Sequence, residues 1–138
     1  MILLDTNVVS AIMRPAPVQS VLDWLDDHDT ASLYLSTITI AEIGYGLRIL
    51  PAGKRRRALE DRFDEFVARG FEQRILGFDE PAARLYAEVM GRRKELGRPI
   101  SALDGQIAAI ARAHRFAVAT GNVRDFEECG VEILNPFG

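Results

Sequence analysis

The chain has few of the residues on which several common chemistries depend. Its single cysteine, Cys129, excludes an internal disulfide and a zinc site built from several cysteines. Its two histidines, His28 and His114, fall at predicted helix ends, where a surface position or an interaction with the helix dipole explains them. Catalysis by a serine or cysteine nucleophile, which needs a nearby base such as histidine, is therefore disfavoured. The chain also contains neither a P-loop nor a Gly-x-Gly-x-x-Gly motif.

Long apolar runs and an excess of positive charge are absent as well. No stretch approaches the length of a transmembrane helix, and no basic segment followed by an apolar one indicates a secretory signal, so we expect a soluble cytoplasmic protein. The net charge of -3 gives no sign of a strongly basic nucleic-acid-binding surface, although local clusters such as Lys54–Arg57 can still bind phosphate. With 138 residues, 48% of them hydrophobic, the chain suits one domain spanning 1–138.

Short apolar runs alternate with helical patterns along the whole chain. The runs predict strands at 1–4, 32–36, 116–119 and 131–134, with a weaker candidate at 74–78. Apolar spacing and capping residues predict helices at 8–13, 17–28, 39–50, 54–70, from 79 onward, at 101–114 and at 122–130. This alternation favours an α/β fold, a three-layer α/β/α sandwich with a mostly parallel central sheet. We expect the first strand to be central, between the strands near Leu33 and Phe116.

The opening strand ends abruptly in the polar tripeptide Asp5-Thr6-Asn7. Ligands of open α/β folds bind beyond the carboxyl ends of the strands, so Asp5 is placed where a metal or a reacting group is expected. The alternative is that Asp5 only begins a turn or caps the next helix.

Three further acids each follow a hydroxyl or amide residue by three positions at a predicted helix start. This spacing predicts a helix cap with the acid in the first turn. We expect these helices to begin near the sheet edge that carries Asp5. Converging carboxylates raise one another's pKa unless a cation neutralises them, and Mg²⁺ or Mn²⁺ suits an all-oxygen site. The pattern therefore favours phosphodiester hydrolysis by metal-activated water. The three pairs are Thr39 with Glu42, Ser101 with Asp104, and Asn122 with Asp125.

Five segments, taken together, are similar to a known family. They are Ile2–Asn7, Thr39–Glu42, Asp104–Ala109, Ala119–Phe126 and Asn135–Pro136. They resemble the PIN-domain family, and within it the VapC and FitB branch of toxin–antitoxin ribonucleases. No single motif is specific, but the segments span essentially the whole chain in the right order and at compatible spacings.

This resemblance implies a compact α/β/α sandwich with Mg²⁺- or Mn²⁺-dependent endoribonuclease activity. It also implies a homodimer that is neutralised by a small antitoxin, often a DNA-binding protein. By position, Asp5, Glu42 and Asp104 match the family's metal-binding acids, and Thr120 matches a hydroxyl residue beside the site. Asn122 stands where relatives often carry an aspartate, and Gly121 replaces a basic residue that is frequent in relatives.

The resulting hypothesis is a metal-dependent endoribonuclease that acts on RNA as the toxin of a toxin–antitoxin pair. Asp5 and Asp104 are the expected principal metal ligands, and Glu42 completes the site and helps to position the water. Three residues are expected to orient ligands or the scissile phosphate. Either Asp125 compensates for the missing charge at position 122, or a second metal ion is bound only weakly. The three orienting residues are Thr6, Thr120 and Asn122.

Two alternatives belong to other functional classes. One is a catalytically weak or inactive PIN-like module that serves only in a DNA-binding toxin–antitoxin complex, which the uncharged Asn122 leaves open. The other is a phosphatase that uses Asp5 as a nucleophile. That class usually has a second acid two residues later, where this chain has Asn7.

Overall fold

The computed structural model describes all 138 residues and contains one five-stranded sheet. The strands are β1 (Ile2–Leu4), β2 (Leu33–Ser36), β3 (Ile75–Leu76), β4 (Ala117–Ala119) and β5 (Ile133–Leu134). Their order across the sheet is β3-β2-β1-β4-β5, and every neighbouring pair is parallel. The first strand is therefore central between β2 and β4, which confirms the predicted arrangement.

Seven α-helices cover the two faces of this sheet. They are α1 (Thr6–Met13), α2 (Gln19–Asp26), α3 (Thr37–Arg48), α4 (Lys54–Gly70), α5 (Glu80–Glu95), α6 (Ala102–His114) and α7 (Val123–Phe126). None of them combines the length and apolarity needed to cross a membrane. Adjacent residues of β1 show how the helices divide, because Leu4 belongs to a buried apolar cluster with α1 to α4 and Leu3 to a second cluster with α5 to α7. The three-layer α/β/α sandwich is thus confirmed.

The start of α3 differs from the prediction. Thr39 does not cap this helix; the cap is Ser36, whose Oγ accepts a hydrogen bond from the Thr39 backbone N–H at 3.1 Å. Ser36 is also the last residue of β2, so its extended backbone ends the strand and caps the helix at once. The helix cap lies three residues earlier than expected, and Glu42 lies in the second turn of the helix. The prediction that Glu42 is a first-turn capping acid is wrong.

The other two predicted caps have different outcomes. Ser101 caps α6 as predicted and accepts the Asp104 backbone N–H at 3.2 Å. Asn122 precedes α7, but its side chain makes no capping bond. This helix ends at Phe126 rather than near 130, because the backbone becomes extended at Glu127.

Candidate active site

Asp5 lies at the carboxyl end of the central strand and is only 2% exposed. Its Oδ1 accepts the Thr6 backbone N–H at 2.8 Å, so the capping alternative is correct for this oxygen. Its Oδ2 accepts the Thr120 hydroxyl, also at 2.8 Å, from the end of the neighbouring strand β4. Capping of α1 therefore explains the hydrogen bond of Oδ1, while the hydrogen bond of Oδ2 connects the ends of β1 and β4.

The Thr120 hydroxyl is held so that its one proton points to Asp5. Its oxygen accepts the Asn122 backbone N–H at 2.9 Å and the Asn7 side-chain N–H at 3.3 Å. The Asn7 Oδ1 in turn accepts the Gly121 backbone N–H at 3.1 Å. Asn7 thus holds the segment that follows β4. It was absent from the predicted site residues, although its place beside Asp5 and Thr6 was the available signal.

Thr6 connects Asp5 to Glu42. While its N–H donates to Asp5, its hydroxyl donates to Glu42 Oε1 at 2.8 Å. The same hydroxyl oxygen lies 3.0 Å from Thr39 Oγ1, which is itself 3.4 Å from Ser36 Oγ. Thr6, which was predicted as an auxiliary residue, therefore orients both Asp5 and Glu42. The hydroxyls of Thr39 and Ser36, which were predicted only at a helix start and a strand end, support Thr6.

Asp104 and Asp125 extend the acidic region from the other side. Burial raises the pKa of Asp104, and the charges of Asp125 and Glu42 raise it further, against the hydrogen bond with Ser101. Asp125 belongs to α7, which follows the exposed Asn122. The acidic site, defined here as Asp5, Glu42, Asp104 and Asp125, thus draws on β1, α3, α6 and α7.

Burial is also the largest cause that raises the pKa of Asp5, to about 6. The hydrogen bonds from Thr120 and Thr6 oppose this rise, while the charges of Asp104 and Glu42 add to it. A buried carboxylate that faces two others is unfavourable without a compensating cation. The acidic site therefore favours the binding of positive charge.

The arrangement sets a limit on how a metal ion is held. No group of three or more His, Cys, Asp or Glu side chains is placed to ligate one ion. Magnesium usually keeps several waters and binds through one or two carboxylates, so it does not need such a group. The oxygen chemistry of the acidic site fits this hydrated mode of binding.

Two further features hold the helices that carry Asp104 and Asp125 in place. The buried Arg93 of α5 donates to the carbonyls of Arg124 and Glu127 at 2.8 and 2.6 Å, which ties α7 to α5. Next to Asp104, Gly105 allows close packing on α5, because an added Cβ would lie 2.4 Å from the Met90 sulfur.

A groove of about 380 Å³ opens beside the acidic site. Thr6 and Glu42 line it together with Arg14 and apolar side chains of α1, α3 and α4, among them Met13 and Leu47. Solvent and larger ligands therefore reach Glu42 from this side.

The comparisons with known proteins agree with this architecture. The PIN domain model matches residues 2–131. The chain is 44% identical to VapC ribonuclease Y4jK of Sinorhizobium fredii, over 99% of this chain and 98% of the relative. It is 42% identical to toxin FitB of Neisseria gonorrhoeae, over 99% of each chain. The solved structure of FitAB bound to an IR36 DNA fragment matches with a TM-score of 0.94 at 42% identity, covering 100% of this chain and 96% of that one. The chain belongs to the PIN-domain family.

Proposed function

We propose that this chain is a Mg²⁺- or Mn²⁺-dependent endoribonuclease, a single nuclease domain over 1–138 that acts as a cytoplasmic toxin. The observation that carries the proposal is the environment of Asp5. This carboxylate is buried at the central strand end, held on both oxygens, and faces the charges of Glu42 and Asp104. The relatives named VapC ribonuclease and toxin FitB support the same activity.

Asp5 and Asp104 are the residues proposed to hold the metal ion, with Glu42 completing the site. When bound, the ion supplies Lewis-acid polarisation of a phosphoryl oxygen and lowers the pKa of bound water. Its positive charge also offsets the mutual repulsion that raises the pKa of Asp5 and Asp104.

The remaining side chains orient the reacting groups. Thr6 and Thr120 keep the Asp5 and Glu42 carboxylates in fixed directions. Glu42 is proposed to position the attacking water. The exposed Asn122 offers an uncharged amide to the scissile phosphate, and Asp125 restores negative charge on that side.

The activity is tested on a panel of single-stranded RNAs with Mg²⁺ or Mn²⁺ titrated into metal-free protein. We expect metal-dependent cleavage by the wild type and none by Asp5→Asn, whose fold is checked by circular dichroism. Asp61→Asn, at an exposed acid on α4, is the matched control and should cleave normally. Full metal-dependent cleavage by Asp5→Asn would refute the role of Asp5.

The same experiment separates the alternatives. If no RNA is cut and no metal binds, the result supports the hypothesis of an inactive binding module. A phospho-aspartate trapped at Asp5 would support the phosphatase hypothesis. That hypothesis is disfavoured because the second acid typical of the class is replaced by Asn7, whose amide bonds to Thr120 and Gly121.

We also propose that the chain forms a homodimer and is neutralised by a small DNA-binding antitoxin. The similarity to FitAB bound to DNA supports such a partner. Adding the product of a neighbouring small reading frame to the RNA assay should inhibit cleavage and yield a complex that binds the shared promoter.

A further inference from the structure

A line of hydroxyl groups runs from the end of β2 to the Glu42 carboxylate. Ser36 Oγ lies 3.4 Å from Thr39 Oγ1, Thr39 Oγ1 lies 3.0 Å from Thr6 Oγ1, and Thr6 Oγ1 lies 2.8 Å from Glu42 Oε1. Ser36 and Thr39 are both 0% exposed. Buried hydroxyls in direct contact, with no access to water, must satisfy one another.

The direction of each hydrogen bond in this line follows from the number of protons. A hydroxyl has one proton, and Thr6 gives its proton to Glu42. The contact between Thr39 and Thr6 can therefore form only if Thr39 is the donor. Since the Thr39 proton is then committed, its oxygen accepts from Ser36. All three protons point toward Glu42, and such chains strengthen each bond through mutual polarisation.

The Thr39 hydroxyl bonds outside its own helix. Although Thr39 lies in the first turn of α3, its hydroxyl contacts Thr6 on another helix, 33 residues away in sequence. Its own backbone N–H is already satisfied by Ser36, so the cap of α3 does not require the Thr39 hydroxyl.

We propose that Thr39 is a positioning residue that acts on Glu42 through Thr6. Supported by Ser36, it keeps the Thr6 hydroxyl turned toward Glu42 Oε1, and the protein donates nothing to Oε2, which is left for water or a ligand. This inference rests on the proposed nuclease function for its catalytic consequence, but not for its structural one. Mutating a residue that hydrogen-bonds to a metal ligand typically costs about 10–100-fold in metal affinity or activity, and we expect the same range for loss of the Thr39 hydroxyl.

Two pairs of variants isolate the Thr39 hydroxyl. Thr39→Val keeps the shape and removes the hydroxyl, while Thr39→Ser and Thr39→Ala differ from each other only in the hydroxyl. Thr37→Val is the control, because Thr37 is exposed on the same helix. Melting temperatures identify any variant that fails to fold, and the Ser and Ala pair keeps the comparison possible if Thr39→Val is such a variant.

The measurements are Mn²⁺ affinity by calorimetry, kcat and KM for RNA cleavage, and the Glu42 carboxyl ¹³C resonance of the metal-free protein, assigned by its loss in Glu42→Gln. We expect Thr39→Val and Thr39→Ala to lower Mn²⁺ affinity or kcat about 10–100-fold with little change in KM. The same variants should move the Glu42 resonance. Thr39→Ser should restore all three quantities, and Thr37→Val should leave them unchanged.

Two results would overturn the inference. One is an unmoved Glu42 resonance in a folded variant that lacks the hydroxyl. The other is a Thr39→Ser protein as impaired as Thr39→Ala, which would assign the effect to packing. Failure of the nuclease proposal looks different: the wild type would neither bind Mn²⁺ nor cut RNA, while the resonance would still report whether Thr39 positions Glu42.

Discussion

The N-terminal ends of α3 and α6 have the same local sequence pattern and different structures. In α6, Ser101 is the cap and Asp104 lies in the first turn, where its negative charge also interacts favourably with the helix dipole. In α3, Ser36 is the cap and Glu42 lies one turn deeper. An acid in the second turn has little interaction with the helix end, so the capping explanation fails for Glu42. Its one side-chain hydrogen bond comes from Thr6, on a different helix.

The burial of the two caps accounts for this difference. Ser36 is 0% exposed and is the last residue of β2, so no loop separates the strand from α3. Ser101 is exposed and follows a short loop after α5. A buried strand end therefore determined where α3 starts. The comparison shows that a shared pattern of hydroxyl and acid says little about function until the start of the helix is known.

The largest expected effects are on catalysis. Glu42→Gln should lower kcat on the order of 10²–10⁴-fold, the range typical of a lost acid–base group. Asp104→Asn removes a proposed metal ligand and should lower kcat by at least about 100-fold, since even a partner behind a metal ligand typically changes activity about 10–100-fold. Steady-state RNA cleavage at saturating Mn²⁺ measures this, with Glu72→Gln at an exposed position as the control. If Glu42→Gln kept wild-type kcat while Asp104→Asn did not, Glu42 would have no catalytic role. Its contact with Thr6 would then not distinguish α3 from α6 in function.

A smaller effect concerns the stability of the metal-free protein. Burial raises the pKa of Asp5 to about 6, above its value in the unfolded chain, so the native state is favoured when Asp5 is protonated. This contribution is present below pH 4 and is lost as the pH rises through about 6. The rise from 3.8 to about 6 corresponds to about 3 kcal/mol, so Asp5→Asn should raise the unfolding free energy at pH 7.5 by at most about 3 kcal/mol.

Urea denaturation in EDTA at pH 7.5 and pH 4 measures this effect. The gain from Asp5→Asn should vanish at pH 4, where the wild-type carboxyl is already protonated. Asp104→Asn should gain less, because Asp104 is only half-buried. An equal gain at both pH values would mean that the effect does not come from the charge of Asp5.

The sheet and its edge could be predicted from the sequence because they depend on local patterns. Apolar runs alternating with helical periodicity identified the layers, and the polar residues after the first run identified Asp5 as the acid at the central strand end. The resemblance to the PIN-domain family was confirmed over residues 2–131. These features need no knowledge of which distant side chains meet.

The remaining features depend on long-range contacts. Asn7 meets Thr120 across 113 residues of sequence, and no local pattern indicates that pairing. Arg93 lies in a basic run whose exposed members fit the helix dipole, and only the docking of α7 decides which cation becomes buried. Likewise, Ser36 and Thr39 are both acceptable caps by residue type, and the end of β2 selects between them.

The smallest expected effects come from removing the two caps. Ser101→Ala should cost about 1 kcal/mol of unfolding free energy, the usual loss for an exposed N-cap. Ser36→Ala should cost more, up to about 3 kcal/mol, since it also leaves the buried Thr39 hydroxyl oxygen without a donor. It should reduce kcat as well, because the hydroxyl line to Glu42 loses its first member. Urea denaturation and RNA cleavage of the two variants, measured side by side, test this. If Ser36→Ala lost stability but kept full kcat, α3 would differ from α6 only in how deeply its cap is buried.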